Sequence, residues 1–172
     1  MKKIVLVCGL IAGLISTSWW LGYSLVTRGK TILENGEIYG YASMILAFSL
    51  IYVGVRTYRN KYNGGVVSFG KAFLMGLYIT LIASTIYVGV WLISYYTYAG
   101  NFGQLWADHV IKKAQESGAS AAVIAQKKAE MADFIVMYKN PIFNILFTYM
   151  EILPVGLIVS LITAFVLKRK KI

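Results

Sequence analysis

The sequence predicts an all-α membrane protein: a bundle of four transmembrane helices, N-in and C-in, with an extracytoplasmic helical hairpin between helices three and four. Three observations carry this expectation. Hydrophobic residues make up 58% of the 172 residues and charged residues only 14%, too few to cover a soluble domain of this size. Four apolar runs reach the roughly 20 residues a helix needs to cross hydrocarbon. The basic residues crowd the ends of those runs that share one side. A single integral membrane domain over 1–172 follows.

The first span is expected at 4–26, after Met1-Lys2-Lys3. A secretory signal has an apolar stretch of only about 7–15 residues and ends in a small-residue cleavage site. This run instead continues through Trp19-Trp20-Leu21-Gly22-Tyr23, an aromatic belt at the far interface, so it is expected to stay in the mature protein. Cys8 within it reads as a small apolar filler. As the one cysteine of the chain it excludes an intrachain disulfide and a multi-thiolate metal site. The second span is expected at 38–55, the shortest of the four.

Between spans two and three, Tyr58, Tyr62 and Phe69 mix with Arg56, Arg59, Lys61 and Lys71 around the turn signal Asn63-Gly64-Gly65. Basic and aromatic residues at this level suit a loop lying on lipid headgroups, and no phosphate-binding glycine fingerprint is present. The third span is expected at 72–96. Residues 103–138 are polar enough to leave the membrane and carry helical periodicity, with Gly118 as a helix stop and Ser120 as the next N-cap. The hairpin is expected to serve as a lid on the bundle or as a docking surface for a periplasmic or membrane partner. The fourth span, 141–167, opens on Pro141, which suits a first helical turn.

Loop charge sets the orientation. Lys2, Lys3, the four cations of the 56–71 loop and the tail from Lys168 and Arg169 to Lys171 give ten positive charges with no acidic residue among them. On the other side, Arg28 and Lys30 balance Glu34 and Glu37, and the 99–140 segment is nearly neutral. Positive residues favour the cytoplasmic side, so the chain is expected in a bacterial inner membrane with 99–140 outside. Arg56, Arg59, Lys61, Lys71, Lys168 and Arg169 are the expected headgroup anchors. The net charge of +10 does not point to nucleic acid, because it is distributed as juxtamembrane clusters.

Glu151 is the one acidic residue inside an apolar run. Ten residues into span four, it lies about 15 Å along the helix, near the midplane. An ionised carboxylate there costs several kcal/mol, so it is expected to face the bundle or water. Asn140, Asn144 and Thr148 share its face within about 60°. Depth matching brings Tyr87 and Ser84 of span three and Ser18 of span one nearest to it. Two readings stand: a proton or cation site entered from outside, or hydroxyls and amides that hold helices together at about 1 kcal/mol or less each. No Lys or Arg lies within the spans as an ion-pair partner.

Small residues recur every four positions at Gly9 and Gly13, at Ala72 and Gly76, and at Gly156, Ser160 and Ala164. Such spacing lets helix backbones approach closely, for packing within the chain or in a homo-oligomer.

The stretch 59–76, with Val67-Ser68-Phe69-Gly70-Lys71-Ala72-Phe73, and the closing Leu153-Pro154-Val155-Gly156-Leu157-Ile158-Val159-Ser160-Leu161-Ile162 resemble a bacterial family, mostly from Bacteroidota, described as domain of unknown function number 4199. The resemblance covers the whole chain and implies a four-pass inner-membrane protein, with no activity, cofactor or catalytic residue to carry over.

Three functions compete. The first expectation is a non-enzymatic scaffold, assembly factor or accessory subunit acting through helix and hairpin contacts, with membrane lipids around it. The alternative is a small oligomeric proton- or cation-linked transporter or channel using Glu151. The third, an enzyme, finds no serine–histidine–acid set and no metal cluster in this composition. Asp108 and His109 are helical neighbours pointing about 100° apart, a weak acid–base pair. No cofactor or metal is expected.

Overall fold

The computed structural model describes residues 1–27 and 36–169. Arg28, Lys30 and Glu34 of the first connection, and Lys170 and Lys171 of the tail, lie outside the described residues. Among the described residues there are six α-helices: α1 (Lys2–Thr27), α2 (Gly36–Thr57), α3 (Phe69–Thr97), α4 (Phe102–Glu116), α5 (Ala121–Tyr138) and α6 (Pro141–Leu167). Helices α1, α2, α3 and α6 are long and apolar enough to cross a membrane. At 1.5 Å per residue, their 22 to 29 residues reach about 33–44 Å, beyond the roughly 30 Å of hydrocarbon.

The helices overrun the apolar runs at their polar ends. Helix α2 continues into a π-helical turn, Tyr58–Tyr62, because Tyr58 is buried against the bundle and its hydroxyl donates to Asn63 Oδ1 at 3.0 Å. Gly64 and Gly65 then take positive φ angles of 61° and 79°, which reverses the chain. Helix α3 starts at Phe69, ahead of the expected 72, because the Ser68 side chain caps it by accepting from Lys71 N. Helix α6 is capped by Asn140, whose Oδ1 accepts from Ile142 N at 2.9 Å, with Pro141 behind it. The α4–α5 hairpin turns at Gly118, with φ of 75°, and Ser120 caps α5.

Contacts fix the order around the bundle. Helix α1 packs on α2 and α3, α6 packs on α3 and α2, and α2 meets α3 across the centre, leaving α1 and α6 at opposite corners. Gly9 and Gly13 of α1 face Ile82 and Ile86 of α3 in the same order, so these two helices run parallel. Gly76 faces Ser160 while Trp91 reaches Asn144, so α3 and α6 run antiparallel. Gly54 lies against Cys8 and Ile4, so α2 runs back along α1.

The start of α1, the end of α2, the start of α3 and the end of α6 therefore share one end. There Val67 and Arg169 form an antiparallel bridge, and Arg59 Nη1 donates to the Leu167 carbonyl at 3.3 Å. The core of fully buried Met44, Phe48, Ile51, Met75, Ile79 and Ile152 extends from this half up to the level of Glu151. The small-residue rows are taken up inside the chain: a Cβ on Gly156 would strike Thr80 and Phe48, and one on Gly76 would strike Ser160. Such contacts supply van der Waals packing where lipid offers no hydrophobic drive for helix association.

Candidate functional site

At the other end the four long helices do not close. Helices α2 and α6 meet at Phe48 and Gly156, and above that level a cavity of about 530 Å³ opens among all six helices. Glu151 lies just over a turn above Gly156 on α6, half-buried and facing this space, with the Tyr87 hydroxyl donating to its Oε1 at 3.5 Å. Pro154 lacks an N–H, so the Met150 carbonyl loses its intrahelical partner one residue from the carboxylate.

The walls are aromatic. Trp19, Trp20 and Tyr23 come from α1, Tyr41 from α2, and Tyr87 and Trp91 from α3. The roof is the α4–α5 hairpin, which folds Phe102, Trp106, Phe134 and Tyr138 onto the bundle. Trp20 meets Trp91 edge-on at 4.8 Å, and Trp91 meets Phe102 at 4.7 Å. Burial among these rings, with the Glu151 charge adding to it, pushes the Tyr138 phenol well above its ordinary value, so it stays a neutral hydroxyl.

Glu37, in the first turn of α2, is a second carboxylate on the cavity wall. Among the described residues, no Lys or Arg lines the space. The Trp20 Nε1 donor is buried in the cavity wall without a hydrogen-bond partner among the described residues.

The residues singled out from the sequence divide into three sets. Glu151, Thr148 and Tyr87 line the cavity together. Asn144 and Ser84 are fully buried behind it: Asn144 Oδ1 accepts from Trp91 Nε1 at 2.9 Å, while Ser84 Oγ has no partner. Asn140 and Ser18 stand apart. Asn140 is used as the cap of α6, and Ser18 is exposed on the outer side of α1, donating to the Ile15 carbonyl. Depth alone selected Ser18; the angular phase of α1 instead turns Ser16 to the cavity.

Trp19, Trp20, Glu37 and Tyr41 join the site from the structure alone. Trp19 and Trp20 read as an interfacial belt, and Glu37 as a loop charge. Their inward direction follows only from the gap that α1 and α6 leave between them.

At the opposite end, Lys71 Nζ sits 5.0 Å above the Tyr58 ring and Lys168 Nζ 4.9 Å above Phe165. Arg56 and Lys61 are exposed. Asp108 is exposed and accepts from Gln104, whereas His109 turns to the cavity beside Trp106, so the adjacent acid and imidazole are not paired.

The chain belongs to the family described as Protein of unknown function (DUF4199), which matches residues 8–169. No curated protein and no solved structure matches it.

Proposed function

We propose that this member of the family is a non-enzymatic, multi-pass protein of the bacterial inner membrane that takes a positively charged ligand, proton included, into the α-helical cavity at Glu151. The observation that carries this reading is a carboxylate within an apolar span that opens onto an aromatic space with no Lys or Arg among the described lining. An intramembrane acid is expensive to keep and marks a ligand or ion path by default. Lys2, Lys3, Arg56, Arg59, Lys61, Lys71, Lys168 and Arg169 all belong to the end opposite the cavity. That distribution supports both termini in the cytoplasm and the cavity facing outward.

This is the transporter-like alternative from the sequence. The geometry favours it over the scaffold reading because the aromatic face of the hairpin, the natural docking surface, is packed on the bundle as a roof. The test is reconstitution in liposomes containing a pH-sensitive dye. Acidification driven by a cation gradient is expected to fall at least tenfold in Glu151→Gln; undiminished flux in that variant would remove the carboxylate from the mechanism.

A further inference from the structure

We infer that the ligand of this cavity is a lipophilic organic cation, an ammonium or phosphonium centre carried on an apolar body. The inference rests on the proposed role of Glu151 and names the chemistry that role would serve.

Charge gives the sign. The chain has 17 basic and 7 acidic residues, yet among the described residues the Asp, Glu, Lys and Arg side chains lining the cavity are Glu37 and Glu151 alone. The walls give the chemical class. Eleven of the nineteen described lining residues are Phe, Tyr or Trp, whose ring faces attract a cation without the oxygen ligands a metal requires. A calcium-sized ion takes about 6–8 oxygens in close contact. The described residues hold no group of three His, Cys, Asp or Glu able to supply them.

Volume agrees. A space of about 530 Å³ is far larger than a bare ion and falls within the roughly 300–1,000 Å³ of organic-ligand pockets. The opening fits a ligand that dissolves in lipid: Tyr41 and Met150, both exposed, stand at its edge within helices long enough to cross the membrane. The shared chemistry admits two sources, a free amphiphilic amine and the amino headgroup of a phospholipid.

All four tryptophans of the chain line the cavity, so intrinsic fluorescence of the purified full chain reports on its contents. Tetraphenylphosphonium is expected to change the emission saturably, and neutral triphenylphosphine oxide at equal concentration is not. Glu151→Gln should raise the tetraphenylphosphonium midpoint at least tenfold. Glu151→Asp, the fold control, should shift it far less, and the exposed Glu116→Gln should leave it unchanged. Lipid extracted from the purified chain separates the sources. A phosphatidylethanolamine displaced by tetraphenylphosphonium identifies the lipid amine and supports the inference, whereas a displaced phosphatidylglycerol overturns it. Saturable, Glu151-dependent binding of protons, sodium or calcium with no response to tetraphenylphosphonium would overturn the organic class and keep the charge-binding role. Equal responses to the charged and neutral probes, indifferent to Glu151→Gln, would overturn both.

Discussion

The Trp91 indole N–H donates to Asn144 Oδ1 at 2.9 Å in the buried seam between α3 and α6, one side chain behind the cavity wall. The bond aims Trp91 at Trp20 and Phe102, so a polar contact in the seam sets the aromatic surface in front of it. Asn144→Ala is expected to cost about 1 kcal/mol, the usual scale for interhelical hydrogen bonds in membranes. Thermal unfolding followed by tryptophan emission should then drop by roughly 2–4 °C for a chain of this size. An unchanged midpoint would mean that this bond contributes nothing to holding the helices.

Two glycines within long helices should respond oppositely to alanine. A Cβ on Gly156 would meet Thr80 Cγ2, Thr80 Oγ1 and Phe48 Cζ, while one on Gly22 meets nothing within 4 Å. Gly156→Ala should therefore destabilise by about 1–3 kcal/mol through overpacking. Gly22→Ala should be neutral, or stabilising by about 0.5–1 kcal/mol from helix propensity. Denaturant titration of both variants checks the pair, and equal effects would contradict the close α3–α6 approach below the cavity.

The hairpin roof predicts controlled access. Thr148→Cys in a Cys8→Ala background puts the single thiol on the cavity wall under Phe102 and Trp106. Adding Trp106→Ala should raise its maleimide labelling rate by roughly fivefold or more, because a packed lid that limits entry is being opened. A rate unaffected by the roof would mean that entry runs wholly through the lateral edge at Tyr41 and Met150.

The hairpin turn itself should be sensitive to its backbone. Gly118 has a φ of 75° with open space around it, so Gly118→Ala carries only the left-handed penalty of about 1–2 kcal/mol. Circular dichroism melting should report a loss of that order, with tetraphenylphosphonium binding retained at low temperature.

The long helices were legible because each is written in a run of apolar residues bounded by charge. Their caps are partly legible: Pro141 and Gly118 carry their own signals, whereas Ser68 is obscured because the sustained apolar run begins only after Lys71. Glu151 stood out as an acid in a greasy segment, and helical phase linked it to Thr148. The cavity was not legible. It exists because α1 and α6 occupy opposite corners, and that arrangement depends on which seam each small residue joins. Gly9 and Gly13 choose α3 by fitting Ile82 and Ile86, a pairing that no spacing rule reveals. Without it, Ser18 and Ser16 differ in depth by only about 3 Å and look interchangeable.

The most direct measurement is an experimental structure of the full chain in lipid, purified without added cations and again with tetraphenylphosphonium. The account predicts non-protein density in the second map between Glu151 and the rings of Trp20, Trp91 and Tyr87, absent when Glu151→Gln is treated alike. Side chains of α1 and α6 closed on each other, with Tyr87 and Trp20 filling the space in both maps, would contradict it.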